Sequence, residues 1–348
     1  MVNHRGAGVF GLPPVVCQTD FFGTVSETVS RVASSMEKVF EGMEKLVLPG
    51  SSQQHVSAST LEAAMGWKHS LAVALLVAAV CACNAPSESG LAPIPDGLVV
   101  LTFDDGNKSD ISFVAPKLVE YGFGASFYIT EGLGYEDDPN KERYVSWQDV
   151  RQLYELGFEV GNHTGSHPDM TKLSKDEIRS NLELIEQRCE QYGIPRPVTF
   201  VYPGWRHSLP VVEVLAERQY IFARRGVGPE YPDAGSGARG LPYDPAQDHP
   251  FLIPTTGYAG PEWGFEDLVW AVDQAKDGKI AVLTFHGAPA IEHPWVHTDP
   301  EDFIRYMDYL KEQGCTVIAM RDLLRYVDPN VGPDDPYAPI RNRLAKAE

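Results

Sequence analysis

The chain has 348 residues, of which 43% are hydrophobic and 22% are charged, as is usual for a globular protein with one sizeable core. Its formal net charge of −19 opposes binding to nucleic acid or to an anionic membrane surface, so a neutral or cationic partner is easier to accommodate. The five cysteines include no CxxC pair and therefore predict no thiolate zinc site. Cys189 and Cys315, the two in the predicted folded region, could form a disulfide in an oxidising compartment, but we expect two free, buried thiols.

The first informative element is an apolar segment that begins at Met65. Lys68 precedes the run Leu71–Val80, which has the length of a signal-peptide core and is too short to cross a bilayer as a helix. Small residues and then Cys83 follow, in an arrangement that resembles the lipobox of bacterial lipoproteins. The resemblance implies cleavage before Cys83 and lipidation of its thiol, with Cys81 as a weaker alternative and a buried helix as the rival interpretation.

These features predict the organisation of the amino-terminal part. Residues 65–83 are predicted to be a lipoprotein-type signal peptide, and residues 84–96 to be a polar, proline-rich linker. Residues 1–64 then form an upstream extension, which we expect to reflect a mis-assigned start at Met1 rather than Met65. The predicted protein is exported and membrane-anchored through its lipid alone, in the periplasm or at the cell surface.

From Gly97 onwards, apolar runs of strand length alternate with amphipathic helical segments. The predicted strands are Leu98–Phe103, Ala125–Ile129, Glu159–Gly161, Thr199–Tyr202, Tyr220–Ala223, Lys279–Phe285 and Thr316–Ala319. The predicted helices are Ile111–Tyr121, Trp147–Leu156, Lys175–Tyr192, Leu209–Glu217, Phe265–Lys276, Pro300–Glu312 and Met320–Tyr326. This alternation predicts one α/β catalytic domain at 97–328, built on a parallel sheet as a barrel or a doubly wound sheet. We expect residues 227–254, rich in Gly and Pro, to form a long ordered loop, and residues 329–348 to form a polar tail.

Reactive residue types follow three of the predicted strands. Asp104 and Asp105 end the first strand, His163 and His167 follow the third, and His286 ends the strand at Lys279–Phe285. The carboxyl ends of parallel strands share one face of the sheet, so these side chains are expected to meet. Two imidazoles four residues apart would face the same way on a helical turn, and with one carboxylate they make a three-ligand metal site with an open position. The second carboxylate could then act as a base and His286 as an acid.

The ordered motifs TFDDG, HTGSH, Tyr202-Pro203-Gly204 and LTFH resemble those of polysaccharide deacetylases (the NodB homology domain, carbohydrate esterase family four). The resemblance covers roughly Gly97 to Tyr326. It implies a distorted (β/α) barrel of about seven parallel strands.

The resemblance also implies roles for the reactive residues. Asp104 would be the general base and His286 the general acid. Asp105, His163 and His167 would hold a divalent metal, most commonly Zn²⁺, with Co²⁺ or Ni²⁺ as other options.

Further positions are implied to contact the substrate. The backbone N–H of Gly204 would contribute to an oxyanion hole. Tyr202 and Trp205 lie near that glycine in the sequence. Leu283 would line the acetyl pocket, on the same strand face as Phe285 only if the strand bulges.

Two family motifs are incomplete in this chain. Val201 stands where the family has an arginine that pairs with the base, so Arg206, Arg224 and Arg225 are candidates to replace it. Arg224 and Arg225 end a predicted strand and could face the same rim, or could be exposed to solvent.

The acidic residue and tryptophan that tune the acid histidine also have no clean counterpart. The loose candidates are Glu262 with Trp263, and Asp267 with Trp270. The nearby cluster His293-Pro294-Trp295-Val296-His297 could rim a sugar site or be a packed loop.

The predicted function is a metal-dependent hydrolase that removes acetyl groups from an acetylated polysaccharide or amino sugar, with the polymer and the choice of nitrogen or oxygen left open. One alternative is an amidohydrolase for a small cyclic amide or imide, which closure of the 227–254 loop over the site would favour. Another is a glycan-binding surface protein without turnover. The missing arginine supports that reading, and the presence of Asp104 and His286 opposes it.

Overall fold

A computed structural model of the chain describes residues 90–231 and 238–347. The predicted signal peptide, its Cys83 and the upstream extension lie outside these described residues. Within them, no helix combines the length and the apolar character needed to span a membrane. Cys189 and Cys315 form no disulfide, as expected.

Parallel strands form a central sheet that closes into a distorted barrel. The strands are β1 (Leu98–Phe103), β2 (Ser126–Ile129), β3 (Glu159–Asn162), β4 (Thr199–Val201), β5 (Phe222–Arg224), β6 (Ala238–Arg239), β7 (Gly257–Tyr258), β8 (Ala281–Phe285) and β9 (Thr316–Ile318). Their order is β5-β4-β3-β2-β1-β8-β7-β6, and only the pairing of β6 with β7 is antiparallel. The predicted α/β fold is confirmed.

Closure of the barrel depends on the segment that leads into β7. Ile253 forms a parallel bridge with Arg224 at the end of β5, and it accepts a hydrogen bond from the Arg225 amide at 2.9 Å. Three residues later, the Thr256 amide donates to Val282 in β8 at 2.8 Å. The segment 253–258 therefore joins β5 to β8 and completes a circuit of seven parallel strands, the number that the family resemblance implies.

The central strand of the sheet is β1, and all six of its residues are buried. It pairs with β8 along most of its length, with β9 through Leu98–Val100 and with β2 through Thr102 and Phe103. A continuous apolar run is what a strand covered on both faces requires. β1 therefore places Asp104 and Asp105, which directly follow it, at the centre of the barrel rim.

Helices cover the outside of the barrel. They are α1 (Ala115–Tyr121), α2 (Trp147–Glu155), α3 (Lys175–Gln191), α4 (Leu209–Glu217), α5 (Phe265–Val272), α6 (Pro300–Glu312) and α7 (Ala338–Ala347). Ser146 and Ser174 begin α2 and α3 with capping boxes, in which the serine hydroxyl accepts from a backbone amide three residues on. Two predicted helices differ in type: the first begins as a π-helical turn at Asp110–Val114, and Met320–Arg325 is a 3-10 helix.

Two parts of the chain have more regular structure than the sequence predicted. The long loop at 227–254 contains β6, and β7 follows it, each only two residues long. The polar tail forms α7, which buries Ile340 and directs Arg343 to Asp248, with Nη1 at 2.8 Å from Oδ1. Arg343 also contacts Glu230 at 2.9 Å, so α7 is held by partly buried charges.

Candidate metal centre and active site

A cavity of about 250 Å³ opens at the carboxyl ends of the barrel strands. All five reactive residues identified from the sequence line it: Asp104, Asp105, His163, His167 and His286. They come from β1, β3 and β8, which are far apart in the chain. The parallel topology therefore brings the predicted constellation together.

Three of these residues form a compact donor cluster. Asp105 Oδ1 lies 3.3 Å from His163 Nε2 and 3.6 Å from His167 Nε2. This oxygen is buried and has no hydrogen-bond partner among the described residues. An unsatisfied buried carboxylate oxygen is costly, and a cation between the three donor atoms would satisfy it. The donor set, two imidazoles and one carboxylate, fits a divalent metal such as zinc.

The two histidines meet through tight turns and not along a helix, contrary to the helical-turn prediction. Thr164 and His167 have φ values of 70° and 52°, and the His167 amide donates to Thr164 Oγ1 at 3.0 Å. Asp105 is also left-handed, with φ 73°. Non-glycine residues in this region are strained and concentrate at functional sites. The turn at Ser166 and His167 packs closely against Gly132, where only glycine fits, because a Cβ there would lie 2.7 Å from the His167 Cβ.

Hydrogen bonding and burial set the protonation of the donors. His163 Nδ1 lies 2.8 Å from the Val201 carbonyl, which orients Nε2 toward the cluster. Burial lowers the pKa of His167 to about 4, so its ring is neutral at pH 7. Burial acts to lower the pKa of His163, but the close contact with Asp105 and the negative charge of Asp104 raise it overall. Burial alone would raise the pKa of Asp105, yet the surrounding imidazoles hold it well below its usual range.

Arg224 replaces the family arginine from the neighbouring strand. It lies at the end of β5 and is the register partner of Val201 in β4, the position where the family arginine stands. Partners in register on parallel strands face the same side of the sheet, so Arg224 reaches the same place. Its Nη2 donates to Asp104 Oδ2, and its Nη1 donates to Thr255 Oγ1 at 2.9 Å. Both Arg224 and Asp104 are buried.

The other two arginine candidates do not reach Asp104. Arg225 follows Arg224 and points to the opposite side, where its Nη2 bonds Glu230 at 2.8 Å. Arg206 has a side chain that is 60% exposed and lies 3.4 Å from Asp169.

His286 lies beside the donor cluster, with its Nε2 at 3.8 Å from Asp105 Oδ2. Burial lowers its pKa. Its Nδ1 has no partner within the described ranges, so neither candidate for the fourth motif orients it. Asp267 instead bonds Arg239 and the Gly264 amide, both at 2.8 Å, and Trp263 packs into the core beside Tyr306.

Aromatic side chains form one wall of the cavity. Tyr202, Gly204 and Trp205 all line it. The Tyr202 hydroxyl donates a hydrogen bond to the Phe251 carbonyl at 2.8 Å. Trp205 packs edge-on against Tyr258 with ring centroids 4.4 Å apart. Only glycine fits at Gly226, because a Cβ there would lie 2.1 Å from the Trp205 ring.

Leu283 does not line the cavity. The strand β8 runs in unbroken register with β1, so Leu283 and Phe285 share one face and both lie in the hydrophobic core. Leu283 shares that face with Phe285 without a bulge, and the implied acetyl-pocket position is wrong.

The segment after His286 also contributes to the cavity wall. His293 and Trp295 line the cavity, whereas His297 accepts a hydrogen bond from the Ala290 amide at 3.2 Å and is part of the loop packing. Leu133 and Val296 also line the cavity, and no sequence signal distinguished these two apolar residues from core positions.

Comparisons with known proteins agree with the geometry. Residues 92–223 match the family model described as polysaccharide deacetylase. A bifunctional xylanase/deacetylase of Pseudobutyrivibrio xylanivorans is 33% identical over 32% of this chain and 17% of its own length. A peptidoglycan-N-acetylglucosamine deacetylase of Bacillus cereus is 34% identical over 26% of this chain and 30% of its own length.

Longer matches are more distant. An uncharacterized 30.6 kDa protein of Geobacillus stearothermophilus is 28% identical over 65% of this chain and 70% of its own length. Among solved structures, the Xyl-CE4 domain of a multidomain xylanase from the hindgut metagenome of Trinervitermes trinervoides has a TM-score of 0.47 and 20% identity. That similarity covers 68% of this chain and 95% of the domain. The chain spans less than a third of the length of the two named deacetylases.

Proposed function

We propose, from the membership of residues 92–223 in the polysaccharide deacetylase family, that this chain is a metal-dependent hydrolase that removes acetyl groups from a polysaccharide or amino sugar. The observation that carries the proposal is the arrangement of the cavity. A three-residue donor cluster lies beside a carboxylate held by a buried arginine and beside a buried histidine. A binding protein would need neither the carboxylate nor the histidine in these positions.

Asp105, His163 and His167 would hold the metal, with zinc as the ion that this donor set most commonly binds. When bound, a divalent metal supplies a Lewis acid that polarises the acyl oxygen and makes nearby water more acidic.

Asp104 acts as the general base through one defined atom. Arg224 holds Oδ2, whereas Oδ1 is buried and has no hydrogen-bond partner in the described part of the chain. Oδ1 is thus the free acceptor for the proton of the attacking water. General bases in this role typically contribute about 10²–10⁴ in rate.

His286 donates a proton to the leaving nitrogen or oxygen. Burial lowers the pKa of His286, which makes its protonated ring a stronger acid. Gly204 lines the cavity in a left-handed conformation, with φ 55°. Its backbone N–H would contribute to an oxyanion hole for the acyl oxygen.

The test is acetate release by the metal-loaded chain from chitin oligomers, peptidoglycan and acetylated xylan. We expect Asp104→Asn to abolish turnover but to keep the metal, and His163→Ala to lose both. Asp273→Asn, at an exposed position after α5, is the matched control and should behave as the parent. Full turnover in Asp104→Asn would contradict its role as base.

A second candidate, hydrolysis of a small cyclic amide or imide, is favoured by the small volume of the cavity and by an apolar cluster at its wall. Val227, Ala238, Tyr258 and Val296 form an apolar cluster against Trp205, so parts of the 227–258 segment close in on the site. The volume of about 250 Å³ suits a small substrate. Ring opening of a cyclic imide without any acetate release from glycans would select this candidate.

We also propose that the protein is exported and anchored by a lipid on Cys83. The support is the apolar core at 71–80 followed by small residues and a cysteine. Membrane fractionation of cells should find the parent in the membrane pellet and Cys83→Ser in the supernatant. An unchanged distribution in Cys83→Ser would overturn the anchor.

A further inference from the structure

The turn that places Gly204 and Trp205 at the wall of the metal cavity has an unusual backbone conformation. Gly204 and Trp205 have φ values of 55° and 62°, and the Trp205 amide donates to the Tyr202 carbonyl at 2.9 Å. A bulky residue in the left-handed region is strained, and it persists only where its surroundings fix it. The contacts around this turn therefore decide where the Trp205 ring and the Gly204 N–H lie.

The first of these contacts is the segment that begins at Arg225. Gly226, the next residue, lies directly against the Trp205 ring. The Arg225 guanidinium donates to the Leu252 carbonyl at 3.1 Å and to both carboxylate oxygens of Glu230, at 2.8 and 2.9 Å. The side chains of Arg225 and Glu230 are both nearly buried. The position of Gly226 under the Trp205 ring therefore depends on this ion pair.

The helix α7 reaches the same ion pair from outside the barrel. Arg343 Nε lies 2.9 Å from Glu230 Oε1, the oxygen that Arg225 Nη2 also contacts. Arg343 Nη1 lies 2.8 Å from Asp248 Oδ1. The helix follows β9 in the chain and is not part of the strand circuit. It therefore adds a second cation to the carboxylate that holds Arg225.

The residue that precedes α7 makes a second contact with the turn. The Tyr337 hydroxyl lies 3.0 Å from His207 Nδ1. His207 follows Trp205 by two residues, and its ring packs edge-on against Tyr202 with centroids 5.8 Å apart. Tyr337 and Ile340 also pack into the hydrophobic cluster that contains Tyr202. Tyr202 and His207 flank the turn in the chain, so α7 and Tyr337 support it from both of its ends.

We propose that α7 fixes the turn at Pro203–Trp205, with Arg343 and Tyr337 as positioning residues for the wall of the metal cavity. Arg343 acts through Glu230, and Tyr337 acts through His207. The three metal donors follow β1 and β3 instead, so metal binding is expected to be independent of this helix. The inference rests on the proposed function, and it assigns the shape of the substrate wall to a helix outside the barrel.

Two variants each remove one contact, and the chain offers a matched control for each. Tyr337→Phe removes the hydroxyl and keeps the ring. Its control is Tyr121→Phe, which loses one hydrogen bond between the outer helices α1 and α6. Arg343→Met removes the cation. Its control is Arg218→Met, because the side chains of Arg218 and Arg343 are both 23% exposed and Arg218 also pairs with two carboxylates, on α3.

Fluorine NMR of the full chain labelled with fluorotryptophan reports on the Trp205 ring without turnover. The chain has six tryptophans, and Trp205→Phe identifies the signal that belongs to Trp205. We expect Tyr337→Phe and Arg343→Met to shift and broaden this signal, and both controls to leave it as in the parent. A signal that matches the parent in Tyr337→Phe or in Arg343→Met, or that changes equally in a control, would overturn the proposal.

Acetate release measures the consequence for the substrate. We expect the two test variants to keep their metal and to lower kcat/KM about tenfold, the equivalent of one hydrogen bond, whereas the controls keep the parent value when all are assayed well below their Tm. An unchanged kcat/KM in both test variants would also overturn the proposal. Absence of acetate release by the parent is a failure of the proposed function, and the Trp205 signal then still tests the role of α7.

Discussion

The buried pair of Arg224 and Asp104 offers the most direct test of the active-site geometry. Arg224→Met removes the guanidinium and keeps much of the side-chain bulk, so Asp104 loses its cation while 2% exposed. Removing one partner of a buried ion pair costs about 3–5 kcal/mol. For a domain of this size, each kcal/mol lowers Tm by about 2–4 °C, so we expect a fall of roughly 6–20 °C.

Turnover should fall as well, for a reason separate from stability. Without Arg224, Asp104 Oδ2 is no longer fixed and Oδ1 is no longer presented to the attacking water. We expect acetate release per folded molecule to fall by at least about 10²-fold, the lower end of what a general base contributes.

Arg225→Met is the matched control, because Arg225 is equally buried but pairs with Glu230. Both variants should lose stability, and only Arg224→Met should lose turnover when both are assayed well below their Tm. Equal turnover in the two variants would refute the role of Arg224. Adding Asp104→Asn to Arg224→Met should recover part of the stability, since no buried carboxylate then lacks a partner.

Three further results are expected. Zinc at 100 times its Kd should raise the free energy of unfolding by about 2.7 kcal/mol. Because the pKa of His163 is raised, zinc binding should release a proton and zinc affinity should fall as pH falls. Calorimetry in two buffers of different ionisation enthalpy measures this proton release, and equal heats of binding in both would contradict it. Asp110, buried with both oxygens unpartnered among the described residues, has a pKa raised well above its usual range by burial and by Asp105. Because this pKa is raised in the folded state, Asp110 destabilises the fold at pH values above its unfolded pKa of about 4 and has no such effect below it. In urea melts of the metal-free chain, Asp110→Asn should therefore raise the free energy of unfolding at pH 7 and not at pH 4. In the same assay, Arg343→Met should lower the free energy of unfolding by about 1–3 kcal/mol, because the partly exposed Arg343 forms ion pairs with two nearly buried carboxylates. An unchanged urea midpoint would show that the chain does not need α7 for stability.

The sequence predicted those parts of the fold in which a local pattern is strong. The run Leu98–Phe103 is apolar except for Thr102 and is a buried strand, and the reactive residues that follow the strands meet at one rim because parallel topology requires it. The two-residue strands β6 and β7 were missed, since two residues cannot display a period. The helix α7 packs Ile340 and Leu344 at helical spacing against the core, a short apolar stripe that the prediction of a polar tail overlooked.

The pairing register of the strands decides which of the remaining candidate residues face the cavity. Arg224 and Arg225 were equivalent candidates in the sequence, and only the pairing of Val201 with Arg224 decides which one faces Asp104. Leu283 depended on the same property, since an unbulged β8 turns it into the core with Phe285. A shift of one residue along a strand exchanges its two faces, and nothing local in the sequence fixes that shift.

The central position of β1 has a consequence for synthesis of the chain. Thr102 in β1 bonds the Leu283 carbonyl in β8, 181 residues later. At roughly 5–20 residues per second, the ribosome needs about 10–40 s to supply that partner strand. During this interval one edge of the most apolar strand has no neighbour, and such edges recruit other chains. The arrangement that centres the cavity rim on β1 therefore leaves this edge open to pairing with other chains until β8 has been synthesised.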